Sequence, residues 1–218
     1  MQPLNLRSRR AIATTGSRAS AWLAVLLTLG SFLFAACESA PQRLIFETTL
    51  GTFEAEIFEA EAPITAANFL RLADGGHLDG ATFYRTVSPS NDNGDPPIAV
   101  IQGGLGDAPG PFGPIPHETT ATTGLAHLDG SLSMARAAPG TASTEFFICI
   151  GSQPALDYGG ERNADGLGFA VFGRVVSGME TVRAIHSAPS DAPTEFEYFR
   201  GQLIEEPVRI VSVRRASR

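Results

Sequence analysis

Phe83-Tyr84-Arg85, Ile101-Gln102-Gly103-Gly104 and Ser133-Met134-Ala135-Arg136-Ala137, with Phe146-Phe147-Ile148 after them, decide the fold of this chain. Each is a short run rich in aromatic and β-branched residues, bounded by glycine, proline or small polar residues, as strands are. Together they supply one guanidinium, one amide and an aromatic wall. No metal-ligand cluster, nucleophile–base pair or phosphate loop accompanies them.

Working outward, Leu44–Thr49 and Thr52–Phe58 alternate apolar and polar residues around Gly51, the pattern of a hairpin of half-buried strands. Ala62-Pro63 opens a helix, with proline in the first turn where its missing N–H costs nothing. Ile64, Ala67 and Leu70 form its expected apolar stripe, and Gly75-Gly76 ends it. Further strands are expected at Thr82–Val87, Ile98–Gln102, Ser131–Ala135, Glu145–Ile150, Phe169–Val175 and Pro207–Val213, with a second helix over Gly178–His186. The implied class is mainly β, a closed eight-stranded antiparallel barrel capped by two helices.

The 218 residues suit one domain behind a leader. Residues 1–37 hold Arg7, Arg9, Arg10 and Arg18, no acid, and an apolar run from Ala21 to Ala36, as a secretory signal requires. Phe34-Ala35-Ala36-Cys37 resembles a bacterial lipobox, whose cysteine is lipidated and becomes the new N-terminus. Residues 38–43 are then a tether of about 20 Å when extended, and 44–218 the domain. Removing the leader takes the net charge from −7 to −11, since the chain has no lysine and loses four arginines. Such an acidic body argues against nucleic acid and against electrostatic membrane docking. The expectation is an exported lipoprotein held at the cell envelope by its lipid alone, on the periplasmic side if the cell is Gram-negative. Cys149, inside an apolar strand, reads as an inert buried thiol. No heptad repeat gives a reason to expect more than a monomer.

The order and types of these motifs, continued by Leu156-Asp157 and Ala170-Val171-Phe172-Gly173-Arg174-Val175, resemble the cyclophilins, a family of peptidyl-prolyl cis-trans isomerases. The resemblance covers roughly residues 44–213. It implies the barrel, no cofactor or metal, and proline-containing polypeptides as partners. It makes Arg85 the catalytic guanidinium and Gln102 the holder of the substrate backbone. Phe147 and Leu156 become the floor and wall of the proline pocket, with Phe83, Met134, Ala135 and Arg136 in the substrate-binding set, Arg136 through its backbone.

Departures from the family pattern have consequences. Ala99 and Val100 stand where the family usually has Phe-Met, so one pocket wall loses bulk. The stretch between Arg85 and Gln102 is roughly twice the usual length, and its excess, Ser88–Pro97, is expected to fold over and replace that wall. Glu145 replaces a common glutamine and is a candidate to orient Arg85 or to hold it away from substrate. Ala155 replaces an aromatic associated with tight cyclosporin binding, which implies weak inhibition. These departures keep a second reading open: a lipid-tethered peptide-binding or chaperone module with weak or no isomerase activity.

Competing constellations are thin. His77, His117, His127 and His186 lack zinc-ligand spacing. Pro109 and Pro111 follow Gly103-Gly104-Leu105-Gly106 where a phosphate-loop helix would start. Ser133, His127 and Asp129 form no nucleophile elbow.

Overall fold

Alternation along the first two strands, β1 (Gln42–Thr48) and β2 (Gly51–Ile57), turns Leu44, Phe46, Phe53, Ala55 and Ile57 to one buried side. The computed structural model describes residues 41–106, 108 and 110–217. Within these, six more strands follow: β3 (Thr82–Val87), β4 (Val100–Gly104), β5 (Ser131–Met134), β6 (Phe146–Cys149), β7 (Ala170–Ser177) and β8 (Leu203–Arg215). They close into a barrel in the order β1-β2-β7-β5-β6-β4-β3-β8, and every neighbouring pair is antiparallel. The expected leader, the expected lipidation site Cys37 and residues 38–40 of the tether lie outside the described residues.

Side chains fill the interior, as an eight-stranded barrel requires. Phe46 stacks on Phe53 with centroids 4.5 Å apart, and Phe146 meets Phe83 edge-on at 5.6 Å. Helix α1 (Pro63–Asp74) plugs the barrel with Phe69, whose ring lies 5.1 Å from Phe146 and 4.7 Å from Phe172. Of the expected stripe on α1, only Leu70 is buried. Ile64 and Ala67 are exposed, while Thr65, Asn68, Phe69 and Leu72 face inward. Polar anchors explain the rotation: the Glu118 carboxylate accepts from the Thr65 amide at 2.7 Å and its hydroxyl at 2.6 Å, and Asn68 Nδ2 donates to the Ser143 carbonyl at 2.7 Å. A distant carboxylate thus satisfies the free N–H groups that open the helix.

Two helices were expected, and the described residues contain a third. Between them lies the single turn α2 (Thr120–Thr123), capped by Thr119 and ended by Gly124 in the left-handed region. Helix α3 (Met179–His186) buries Val182 and Ile185. Strand β4 starts two residues later than expected because the Ile98 and Ala99 amides donate to the Asp92 and Gln153 side chains instead of a ladder. Strand β8 is longer than expected, running from Leu203 to Arg215. Pro207 falls in the irregular stretch of its pairing with β3, where no ladder amide is needed.

A second apolar cluster sits on the outside of the barrel wall: Val87, Ile98, Val100, Phe147, Cys149 and Leu156, with Ala135 and Phe169 against it. Strand periodicity accounts for both clusters. In β6, Phe146 and Ile148 serve the interior, while Phe147 and Cys149 serve the outer layer. Burial pushes the Cys149 thiol far above its ordinary pKa, which keeps it unreactive.

Candidate active site

The outer layer carries a pocket of about 230 Å³. Phe147, Leu156 and Phe169 give it an apolar lining, with Val100, Ile98 and Ala135 beside them. The Phe169 ring stands edge-on to Phe147 at 5.3 Å. Arg85 and Gln102 supply a polar edge.

A bulge in β3 sets that edge. The pairing of β3 with both β4 and β8 shifts between Phe83 and Arg85, so Tyr84 is the extra residue. Phe83 therefore enters the core, while Tyr84 and Arg85 both reach Gln102. Arg85 is only 7% exposed. Its Nη1 donates to Gln102 Oε1 at 2.9 Å, and its Nε and Nη2 donate to Gln202 Oε1 at 2.9 and 2.6 Å. Three of the five guanidinium N–H bonds are thereby engaged, leaving one on each terminal nitrogen. The Tyr198 and Phe199 rings stand 5.1 and 4.9 Å from the guanidinium carbon, a cation–π arrangement that restrains its plane.

Glu145 makes no hydrogen bond to Arg85, contrary to a direct orienting role. It accepts from the Tyr84 hydroxyl at 2.6 Å, which in turn accepts from Gln102 Nε2 at 2.7 Å. The carboxylate thereby acts two links away: it fixes Tyr84 as a donor, and so fixes which end of the Gln102 amide faces Arg85. Burial pushes the Glu145 carboxyl above the usual range against the pull of hydrogen bonds from Tyr84 and the Gly106 amide. Burial and the adjacent carboxylate raise the Tyr84 phenol, which stays protonated. Gly104 suits this position: its φ of 152° is one that L side chains rarely adopt, and a Cβ there would displace the Glu145 carboxylate from Tyr84.

The other expected residues divide. Arg85, Gln102, Val100, Ala135, Arg136, Phe147 and Leu156 come together at the pocket. Phe83 and Met134 do not, because both are buried in the barrel core. Ala99 lies outside the lining. Arg136 spends its side chain on the glycine-rich loop, donating to the Gly168 carbonyl at 2.9 and 2.6 Å and pairing with Asp165 at 2.8 Å. That pairing holds the Asp165 carboxyl at about 2.

The 88–97 stretch does not itself form the missing wall. It braces the residues that do. Asp92 and Arg162 pair at 2.7 Å with both side chains buried, and Arg162 also donates to the Pro96 carbonyl. Asn93 Nδ2 donates to the Tyr198 and Arg200 carbonyls at 3.2 and 2.9 Å, and Asn91 Nδ2 to Gly201 at 2.8 Å. These bonds hold residues 196–202 so that Tyr198 and Phe199 close the pocket and Gln202 reaches Arg85. Residue-by-residue reading missed all three. The aromatic pair in an otherwise acidic loop was a usable signal for Tyr198 and Phe199; Gln202 offered none.

Ser133 and His127 do meet, with Asp157 rather than Asp129. His127 Nδ1 lies 2.7 Å from Asp157 Oδ1, and Nε2 lies 3.0 Å from Ser133 Oγ. The geometry is that of a hydrolytic triad, yet Ser133 and His127 are fully buried, so no substrate reaches the hydroxyl. The imidazole instead stacks beneath Phe147 at 5.8 Å and fixes the pocket floor from below. Asp129 pairs with Arg183 at the surface.

The sequence model of the cyclophilin type peptidyl-prolyl cis-trans isomerase family matches residues 43–215. The chain belongs to the cyclophilin family. A peptidyl-prolyl cis-trans isomerase of Acinetobacter baylyi is 31% identical over 87% of this chain and 93% of its own length. A peptidyl-prolyl cis-trans isomerase-like 1 of Neurospora crassa is 33% identical over 73% of this chain and 93% of its own. Among solved structures, a cyclophilin type isomerase of Cryptosporidium parvum superposes with a TM-score of 0.63 at 23% identity, covering 82% of this chain and 99% of that one. The same protein in the presence of the dipeptide Ala-Pro gives 0.62, over 81% and 100%. These structures share the fold: the closed antiparallel barrel of this cyclophilin with its capping helices.

Proposed function

We propose that this cyclophilin accelerates rotation about X-Pro bonds in exported or unfolded polypeptides, with Arg85 stabilising the twisted imide. Rotation is slow because the C–N bond has partial double-bond character. As the bond twists, the nitrogen lone pair leaves conjugation and becomes a hydrogen-bond acceptor. A donor waiting there stabilises the twisted state more than either planar one, which is the condition for acceleration. Turnover on the order of 10³ per second needs roughly 7 kcal/mol removed from the barrier.

The observation that carries the reading is the state of Arg85. Its guanidinium is oriented by Gln202 and Gln102, restrained by two rings, and keeps two N–H donors beside an apolar pocket. Arginine suits this role because its charge is permanent and its fork rigid. The proline ring would rest on Phe147 and Leu156, with Gln102 holding the flanking backbone. The test is cis-to-trans turnover of a short X-Pro peptide by the protein and by Arg85→Ala: loss of at least 100-fold in the variant is expected, and equal rates would overturn the role of Arg85.

The peptide-binding reading has one observation in its favour. Rings against the guanidinium leave a substrate little room at Arg85. Peptide affinity without turnover in the same assay would select it. On location, the proposal is an exported lipoprotein attached through Cys37, acting as a monomer close to its membrane.

A further inference from the structure

Among the described residues, six large apolar side chains are exposed, and two belong to one tripeptide beside the pocket: Phe196 at 69% and Tyr198 at 47%. Scattered exposed apolar residues need no explanation, but adjacent ones continuous with a site do. Phe196 and Tyr198 both lean on Phe199, at 6.1 and 5.4 Å in edge-on geometry. Tyr198 and Phe199 line the pocket, so the exposed surface of Phe196 and Tyr198 extends that lining outward.

The segment is held in place: Glu197–Phe199 form a single 3-10 turn, and side chains from elsewhere in the fold brace it. Asn93 Nδ2 donates to the Tyr198 and Arg200 carbonyls at 3.2 and 2.9 Å, and Arg162 Nη2 donates to the Tyr198 hydroxyl at 3.1 Å. An exposed aromatic face already held in position binds without the ordering cost a free loop would incur.

We propose that Phe196 and Tyr198 form a subsite for a large apolar or aromatic side chain close to the proline in the substrate polypeptide. The proposal rests on the pocket being a proline-peptide site and names the substrates it prefers: apolar-flanked prolines, which folded proteins bury and unfolded chains expose. The polypeptide is the occupant because the surface is continuous with the pocket through which it runs.

The experiment compares kcat/KM of the full chain on peptides carrying Phe, Leu or Ala at each position flanking one proline. A preference of about fivefold to tenfold for Phe over Ala is expected at one position. In Phe196→Ser that ratio falls to near one, and Phe196→Leu restores most of it; Phe196 is exposed enough for both variants to fold. A wild-type ratio near one at every position, with turnover present, overturns the subsite and leaves the isomerase reading standing. Absence of turnover on all peptides overturns the isomerase reading instead. NMR titration with the same peptides then reads the subsite, and equal affinities for Phe and Ala peptides would end it.

Discussion

Gln202 and Arg85, 117 positions apart, meet through a single oxygen: Gln202 Oε1 accepts from Arg85 Nε at 2.9 Å and from Nη2 at 2.6 Å. Gln202 is fully buried, and its own Nε2 donates to the Asn91 carbonyl at 2.8 Å. One side chain therefore ties the guanidinium to the 88–97 stretch. The 88–97 stretch and the guanidinium are mechanically linked through it.

Gln202→Leu should then strip two acceptor contacts from Arg85 and leave the Asn91 carbonyl unpaired. Each buried unsatisfied group costs about 1–3 kcal/mol, so kcat/KM should fall roughly 10- to 100-fold, mainly through kcat. An unchanged kcat with only a raised KM would show that orientation of Arg85 does not depend on Gln202.

Removing one partner of the buried Asp92–Arg162 pair is a second test. Arg162→Ala leaves a carboxylate buried without its cation and should cost about 3–5 kcal/mol in thermal or urea unfolding. The pair also has a pH signature. Burial opposes ionisation of Asp92, but Arg162 and the Ile98 and Gly94 amides outweigh it and hold the carboxyl below its ordinary value. A lowered folded pKa contributes stability that is present above the unfolded value, about 3.9, and is lost as pH falls through the folded one. Wild-type stability should drop in that acid range, and Asp92→Asn should flatten the drop; parallel curves would contradict the assignment.

Glu145 carries the opposite sign. Its folded pKa is raised, chiefly by burial, so its favourable contribution is present below the unfolded value of about 4.3 and is lost as pH rises through the folded one. Catalysis should show the reverse dependence, because only the ionised carboxylate compels Tyr84 to donate. An acid limb in kcat/KM above about pH 4.3 is expected. Glu145→Gln, whose amide oxygen can still accept from Tyr84, should lose that limb while keeping most activity near neutrality. Tyr84→Phe should cost several-fold at every pH. A limb that persists unchanged in Glu145→Gln would assign it to another group.

Attachment is tested separately. Cys37→Ala should move the protein from the membrane fraction to the soluble one and remove acyl chains from its mass spectrum; unchanged fractionation would rule out the lipid anchor.

The sequence made the barrel legible wherever a strand's apolar period met a clear turn: β3 falls at Thr82–Val87 as expected, and α3 starts one residue after Gly178. The stripe on α1 was misjudged because its orientation is set by Glu118, 53 positions from Thr65, and no local pattern encodes that bond. The four residues of α2 are too few to carry a helical period. At the site, Arg85, Gln102 and Phe147 sit in strands and Leu156 in a short 3-10 helix, all with recognisable neighbours, and the pocket unites them. Tyr198 and Phe199 lie in a three-residue 3-10 turn, too short to carry a period, and Gln202 follows it; the conformation of this stretch depends on Asn91, Asn93 and Arg162. Their placement is a property of the assembled fold.

The most direct test of the central claim is the rate of cis-to-trans conversion of an X-Pro peptide, measured side by side for the protein and for Arg85→Ala. Rapid turnover that falls at least 100-fold in the variant, while thermal unfolding of the barrel is preserved, is the predicted result. Absence of turnover in both proteins, or equal rates in both, would contradict it.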